Sequence, residues 1–239
     1  MKTALFIIIV LLSGCFAGMI YGALNLAIVE PYLDDAINIE NQNLFSAGEE
    51  VDGPQFWVEY YEYRSWQKGG EILAGAIFGI SMGSLFGIVY ALSKKSLPSK
   101  NNIAKTLILA GLMWFTLFVI PFLKYPANPP TVGDGETVIL RGILYLSLIA
   151  ISGLMAVGFY QLFKRLKNKN RVLPIIGYAV LICIIFFIMP ENPDKISTSM
   201  ELVNGFRVVT FLTGTVFWFT LALFLGMFWQ KTNPDLSNT

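Results

Sequence analysis

The chain has 239 residues, of which 55% are hydrophobic and 14% are charged, whereas a typical soluble domain has about 25% charged residues. It contains no histidine and two cysteines, Cys15 and Cys183, which lie far apart in apolar stretches. This composition predicts an integral membrane protein. It excludes sites built on imidazole or on closely spaced cysteines, and we expect no resident cofactor.

Six charge-poor stretches are long enough to cross a bilayer, which requires about 20 apolar residues. They cover about residues 4–29, 71–93, 104–123, 139–163, 172–190 and 206–230. Each is predicted to be a helix, because a single strand would leave its backbone groups without partners in lipid. The sequence therefore predicts an all-α fold: one polytopic membrane helix bundle over residues 1–239, with six transmembrane helices.

Basic and acidic residues are segregated between alternate connections of this bundle. Two connections contain basic residues and no acid: Lys94, Lys95, Lys100, Lys105, and Lys164, Arg165, Lys167, Lys169, Arg171. All acidic residues except Asp235 lie in, or at the edge of, the other three connections. Because positive charge stays inside, the sequence predicts a cell-membrane protein with both termini in the cytoplasm.

The first outer connection, residues 30–70, is long and aromatic. Its first part begins with Pro31, which suits the first turn of a short helix. Its last part, residues 56–66, reads FWVEYYEYRSW, and such aromatic residues concentrate at the membrane–water boundary. We therefore expect an outer interfacial helix between transmembrane helices 1 and 2.

The amino-terminal stretch also resembles a processing site. Residues 12–15 (LSGC) match a lipoprotein cleavage motif, with Cys15 as the lipidation site. Cleavage would leave a segment from Phe16 to Val29 that is too short to span comfortably. We therefore predict that the first helix is retained, and lipidation of Cys15 stays open.

Two spans carry glycines at four-residue spacing, which places each set on one helix face. They are Gly14, Gly18 and Gly22 in the first span and Gly75, Gly79, Gly83 and Gly87 in the second. Flat glycine faces let helix backbones approach closely. The spacing predicts tight packing of these two spans, the alternative being a moving or substrate-lining seam.

Residues 124–137 (KYPANPPTVGDGET) form a connection whose prolines exclude a helix. Asp134 is suited to cap the fourth span, with Glu136 in its first turn. The pattern predicts a stiff outer loop, or alternatively a vestibule that presents polar groups to a solute. The candidate motif and vestibule residues are Lys124, Tyr125, Pro126, Asn128, Pro129, Pro130, Gly133 and Arg141.

The outer carboxylates are the main charged ligands available to a hard cation in a chain without histidine. The hypothetical metal-binding residues are Glu30, Asp34, Asp35, Asp134 and Glu136. A solvated acidic surface is the alternative interpretation.

Three charged residues lie at the outer ends of spans. A charge in the hydrocarbon zone is costly unless it is paired or hydrated. We predict that Glu71 forms an ion pair with Arg141 or Arg207. The alternative is that these three side chains snorkel to water at the membrane boundary.

The chain shows no nucleophile–base arrangement and no phosphate-binding glycine loop, so it is not predicted to be an enzyme. The basic loops are explained by topology and anionic lipid, and no nucleic-acid binding is expected.

Three segments carry a family resemblance: residues 123–134 (LKYPANPPTVGD) continuing through Glu136 to Arg141, residues 27–31 (AIVEP), and residues 67–70 (QKGG). With these segments the chain resembles the CbtA family of predicted cobalt transporter subunits. The resemblance implies cobalt uptake for corrinoid synthesis. It also implies a small membrane partner, the CbtB subunit, which bears histidines in that family.

The sequence thus favours an integral membrane subunit of a divalent metal cation uptake transporter, with Co²⁺ as cargo by the resemblance. The alternative is a structural or accessory subunit of a larger membrane complex without transport activity. An enzyme acting on lipid has the least support, since no carboxylate pair lies within a span. The oligomeric state is left open.

Overall fold

The computed structural model describes residues 2–130, 132–196 and 198–235, and every regular element in these ranges is helical. The helices are α1 (Thr3–Leu24), α2 (Glu30–Ala47), α3 (Pro54–Ser93), α4 (Asn102–Trp114), α5 (Ile120–Lys124), α6 (Val138–Arg165), α7 (Val172–Ile188) and α8 (Met200–Thr232). The π-helical segments Asn25–Val29 and Phe115–Val119 join α1 to α2 and α4 to α5. Short 3₁₀ turns, Gly135–Thr137 and Asn168–Asn170, precede α6 and α7.

Within the described ranges, five unbroken helical runs are long and apolar enough to cross a membrane: Thr3–Ala47, Pro54–Ser93, Asn102–Lys124, Gly135–Arg165 and Met200–Thr232. Helix α7 is apolar along its 17 residues but is only about 25 Å long, against about 30 Å of hydrocarbon. The predicted all-α membrane bundle is confirmed. The predicted six spans require α7 to cross the membrane as well as these five runs.

The connection between the first two spans is a helical hairpin, and helix leads directly into the second span, as predicted. The place of this helix at a membrane interface stays a prediction. Helix α1 continues through the π segment into α2, and α3 runs unbroken from Pro54 to Ser93. The hairpin turns at Gly48, which has φ 73°, and Gly53 precedes the first turn of α3. At 40 residues, α3 is about 60 Å long and therefore extends about 30 Å beyond the hydrocarbon thickness.

The helices form two compact units. The first comprises Met1–Gly111, Pro129–Thr131 and Thr198–Thr239, and the second comprises Leu112–Asn128 and Val132–Ser197. In the first unit α1 packs against both α3 and α8. In the second unit α6 packs against α7 and α5, with Leu148 in a buried apolar cluster.

The first unit gathers both ends of the described chain at the end opposite the hairpin turn. The backbone N–H of Lys2 donates to the carbonyl of Pro234 at 2.8 Å. Lys94, just after α3, forms an ion pair with Asp235, and its ammonium lies 4.6 Å from the centre of the Trp229 ring. The hairpin turn and the chain ends therefore mark opposite poles of this unit.

Candidate functional site

The glycines at four-residue spacing bring the backbones of α1 and α3 into contact. A Cβ atom on Gly18 would collide with the carbonyl oxygen of Gly75, and a Cβ atom on Gly79 would collide with that of Gly14. The structure also places Gly83 against Gly14, and Gly87 against the side chain of Val10. Because backbone cannot move aside as a flexible side chain can, these contacts fix the register of the two helices.

Towards the hairpin turn, the same register leads to a buried ion-pair cluster. A Cβ atom on Gly22 would lie 2.7 Å from the carbonyl oxygen of Glu71, and eight residues beyond Gly22 the carboxylate of Glu30 contacts Arg64. The Arg64 and Glu30 side chains are only 9% and 10% exposed. Charges so deeply buried persist only when they are paired and hydrogen-bonded.

A second carboxylate completes this cluster. Arg64 Nη2 donates to Asp34 Oδ1 at 2.8 Å, and Lys68 Nζ donates to Asp34 Oδ2 at 2.6 Å. Partial burial of Asp34 opposes ionisation, but the hydrogen bonds from Lys68 and Arg64 hold the pKa of this carboxyl below its usual range. Both oxygens of Asp34 therefore accept hydrogen bonds from basic side chains.

A groove of about 1030 Å³ lies along the hairpin beside this cluster. Helix α2 contributes Leu33 and Ile37, and Pro130 also lines the groove. Its charged lining consists of four carboxylates and one guanidinium: Glu30, Glu50, Glu59, Glu71 and Arg64. The groove therefore has a negative potential, which attracts cations.

Three polar atoms of groove-lining residues are buried and have no hydrogen-bond partner among the described residues. They are Asn41 Nδ2, Arg64 Nε and Glu71 Oε2. Asn41 and Arg64 are each only 7% exposed. Buried polar groups normally have a hydrogen-bond partner, so these three atoms are unused hydrogen-bonding capacity in the groove wall. The groove interior is thus suited to polar contents.

The proline-rich loop is organised around Asp194, whose side chain is 3% exposed. Asn128 Nδ2 donates to Asp194 Oδ2 at 2.9 Å, and Arg141 Nη1 donates to the same oxygen at 3.0 Å. The hydroxyl of Tyr125 donates to the carbonyl of Pro190 at 2.7 Å. In the second unit these motif side chains therefore hold the loop against the segment that follows α7.

The predicted ion pair of Glu71 is wrong. Arg141 instead binds Asp194, and Glu71 takes part in none of the salt bridges formed by the described residues. The charges that act on Glu71 are Glu30, Arg64 and Lys68. Arg207 is half-buried in α8. The Asp194 side chain is 3% exposed, and a charge so deeply buried must be neutralised by a partner such as Arg141.

The remaining predicted residues range from exposed to buried. Asp35, Asp134 and Glu136 are exposed. Asp134 Oδ1 accepts the backbone N–H of Glu136 at 3.0 Å and so caps the 3₁₀ turn before α6. The Lys124 ammonium lies 5.2 Å from the centre of the Phe186 ring. Pro126 is half-buried, and Pro129 is buried.

The predicted metal ligands are not gathered into one group. Within residues 2–130, 132–196 and 198–235, no three His, Cys, Asp or Glu side chains lie together as a metal site. Their metal role stays a prediction.

Substituting Gly133 tests the loop around Asp194. Gly133 has φ 100°, and a Cβ atom there would lie 2.6 Å from Arg141 Nη1. We expect Gly133→Ala to cost about 1–3 kcal/mol, from left-handed strain and from disturbance of the Arg141–Asp194 pair. The melting temperature of the detergent-purified chain measures this cost. Gly135→Ala, whose Cβ would contact nothing within 4 Å, is the matched control, and equal melting of the two variants would contradict the prediction.

Membrane-length apolar helices define this chain as a multi-pass membrane protein, and its hairpin carries an acidic groove. Residues 3–230 match a protein family described as "Probable cobalt transporter subunit (CbtA)". Because this match covers nearly the whole chain, the protein belongs to the CbtA family, as the resemblance predicted. No curated protein and no solved structure matches it.

Proposed function

We propose that this protein is the integral membrane subunit of a divalent metal cation uptake transporter, and that Co²⁺ is its cargo. The observation that carries the proposal is the charge of the groove, whose lining contains four carboxylates and one guanidinium. Such a surface raises the local concentration of cations and speeds their arrival. The description of the family as a cobalt transporter subunit supports the choice of cargo.

The proposed topology has six spans, with α7 as the fifth in order and both termini in the cytoplasm. It is supported by the meeting of Lys2 with Pro234 and of Lys94 with Asp235 at one pole of the first unit. Chain ends that meet on one side require an even number of crossings. The hairpin and its groove then face outward, where the cation arrives.

In this proposal the acidic residues have different roles. Glu30 and Asp34 are engaged by Arg64 and Lys68, so they stabilise the hairpin and contribute charge. Asp35, Asp134 and Glu136 add to the attraction of cations from the exposed surface. A small histidine-bearing membrane subunit of the CbtB type would supply the imidazole ligands that this chain lacks.

Radioactive Co²⁺ uptake by cells tests the proposal. Cells that express the chain with its small partner are compared with cells that express the partner alone, and we expect accumulation only with the chain. Glu50→Gln combined with Glu59→Gln removes two groove charges and should lower the initial uptake rate severalfold at low ionic strength. The difference should shrink at high salt, because salt screens exposed charges.

The matched control is Glu40→Gln combined with Glu62→Gln, which removes two exposed charges of α2 and α3 that do not line the groove. This variant should transport like the wild type. Equal Co²⁺ uptake with and without the chain would overturn the transporter proposal and favour the accessory-subunit alternative.

A further inference from the structure

The groove carboxylates are too widely spaced to close around one bare metal ion. Glu59 and Glu71 are twelve residues apart on α3, so their backbones are separated by about 18 Å along the helix axis. Glu30 lies level with Arg64, which places it about 10 Å along the hairpin from Glu71. Direct ligation needs several oxygens at about 2.0–2.6 Å from the metal.

The carboxylates also differ in whether they are already paired with a basic side chain. Glu30 accepts a hydrogen bond from the buried guanidinium of Arg64, which repels a metal ion at that position. Glu71 forms no salt bridge among the described residues, and its Oε2 is buried without a partner. Glu71 is also the groove carboxylate nearest in sequence to the apolar part of α3.

The groove wall provides an independent sign of a hydrated interior. Asn41 is 7% exposed and lines the groove, yet its Nδ2 has no partner among the described residues. Arg64 Nε is likewise buried without a partner among the described residues. Buried donors that lack a protein partner favour water or another polar acceptor beside them. The space of about 1030 Å³ holds an ion together with its water shell, since each water occupies about 30 Å³.

We infer that the groove takes up a divalent cation with its hydration shell intact, and that Glu71 holds it through metal-bound water. The inference rests on the proposed function for the class of cargo, but it concerns binding and not transport. Hydrogen bonds run from coordinated water to the Glu71 carboxylate, with Glu30 contributing charge at longer range. Binding through the hydration shell distinguishes ions only by their charge and size. Co²⁺, Ni²⁺ and Mg²⁺ therefore bind with similar affinity.

Equilibrium dialysis of radioactive Co²⁺ against the full chain in lipid nanodiscs tests the inference. Hexaamminecobalt(III) serves as the probe, because its ammine ligands do not exchange and it can bind only through an intact shell. We expect it to displace Co²⁺ from the wild-type protein. Glu71→Gln should weaken the binding of both ions about tenfold or more, since a hydrogen bond to a charged group is lost.

Matched variants make the result decisive. Glu62→Gln removes an exposed charge of the same helix outside the groove and should bind Co²⁺ as the wild type does. Glu71→Asp, which keeps the charge, should retain most of the affinity. Each protein is first checked for a single symmetric peak in size-exclusion chromatography.

Three results would overturn the inference. Failure of hexaamminecobalt(III) to compete, or affinities that rise from Mg²⁺ through Co²⁺ to Ni²⁺ by large factors, would show direct ligation. Unchanged binding by Glu71→Gln would remove Glu71 from the site. Absence of Co²⁺ binding by the purified chain would refute the site, even where cells containing the chain and its partner still accumulate Co²⁺.

Discussion

Gly79→Leu is expected to prevent α1 from packing against α3 and thereby to abolish the folded state. At Gly79 a Cβ atom would collide with the backbone oxygen of Gly14 and lie 2.6 Å from the Cα atom of Gly18. Overpacking against side chains costs about 1–3 kcal/mol, but here the obstacle is backbone, so the loss exceeds about 4 kcal/mol. The amount of monodisperse protein recovered in mild detergent measures the effect.

The control for this substitution is Gly111→Leu in α4, where a Cβ atom would meet nothing within 4 Å. It adds the same apolar side chain to a helix of the same unit and should be recovered like the wild type. Recovery of Gly79→Leu as a monodisperse protein with wild-type melting would show that the seam is not tightly packed.

Arg64→Met is expected to destabilise the hairpin by about 3–5 kcal/mol, because it leaves the buried carboxylate of Glu30 without its partner. Lys68 compensates little, since its ammonium lies 4.0 Å from Glu30 and is 35% exposed. For a chain of this size the melting temperature should fall by roughly 10 °C. Thermal unfolding in detergent, followed by size-exclusion chromatography after heating, measures the change.

Two companion variants separate loss of the buried pair from loss of charge. Lys68→Met breaks a pair whose members are 35% and 34% exposed and should cost less than about 1 kcal/mol. Combining Arg64→Met with Glu30→Gln removes both buried charges and should recover most of the stability. Equal melting of Arg64→Met and Lys68→Met would contradict the assignment of Glu30–Arg64 as the buried pair.

The sequence predicted the helical membrane fold because lipid imposes strict length and hydropathy requirements. It did not predict the hairpin, because the drop in hydropathy after Val29 indicates the end of a membrane span but not the end of the helix. Polar helices extend beyond a bilayer when they pair with each other, as Glu30 and Asp34 do with Arg64 and Lys68. No proline or glycine interrupts residues 32–47, and this was the available signal.

Only part of the candidate site could be predicted from the sequence. Continuing the glycine register eight residues from Gly22 and seven residues back from Glu71 places Glu30 close to Arg64, so the approximate position of the cluster follows from spacing. The partner of Arg141 does not follow in this way. Asp194 lies in an irregular segment with no periodic pattern, and its position depends on tertiary packing.

The backbone contact between α1 and α3 limits how this protein can change shape. Each opposed glycine leaves no gap into which the neighbouring helix could turn or slide, because a shift of one residue would bring a side chain onto a carbonyl oxygen. The two helices therefore move as one rigid body that carries the groove at the end bearing the hairpin turn. Under the proposed transport function, alternation between outward-open and inward-open forms requires other helices to move relative to this rigid pair.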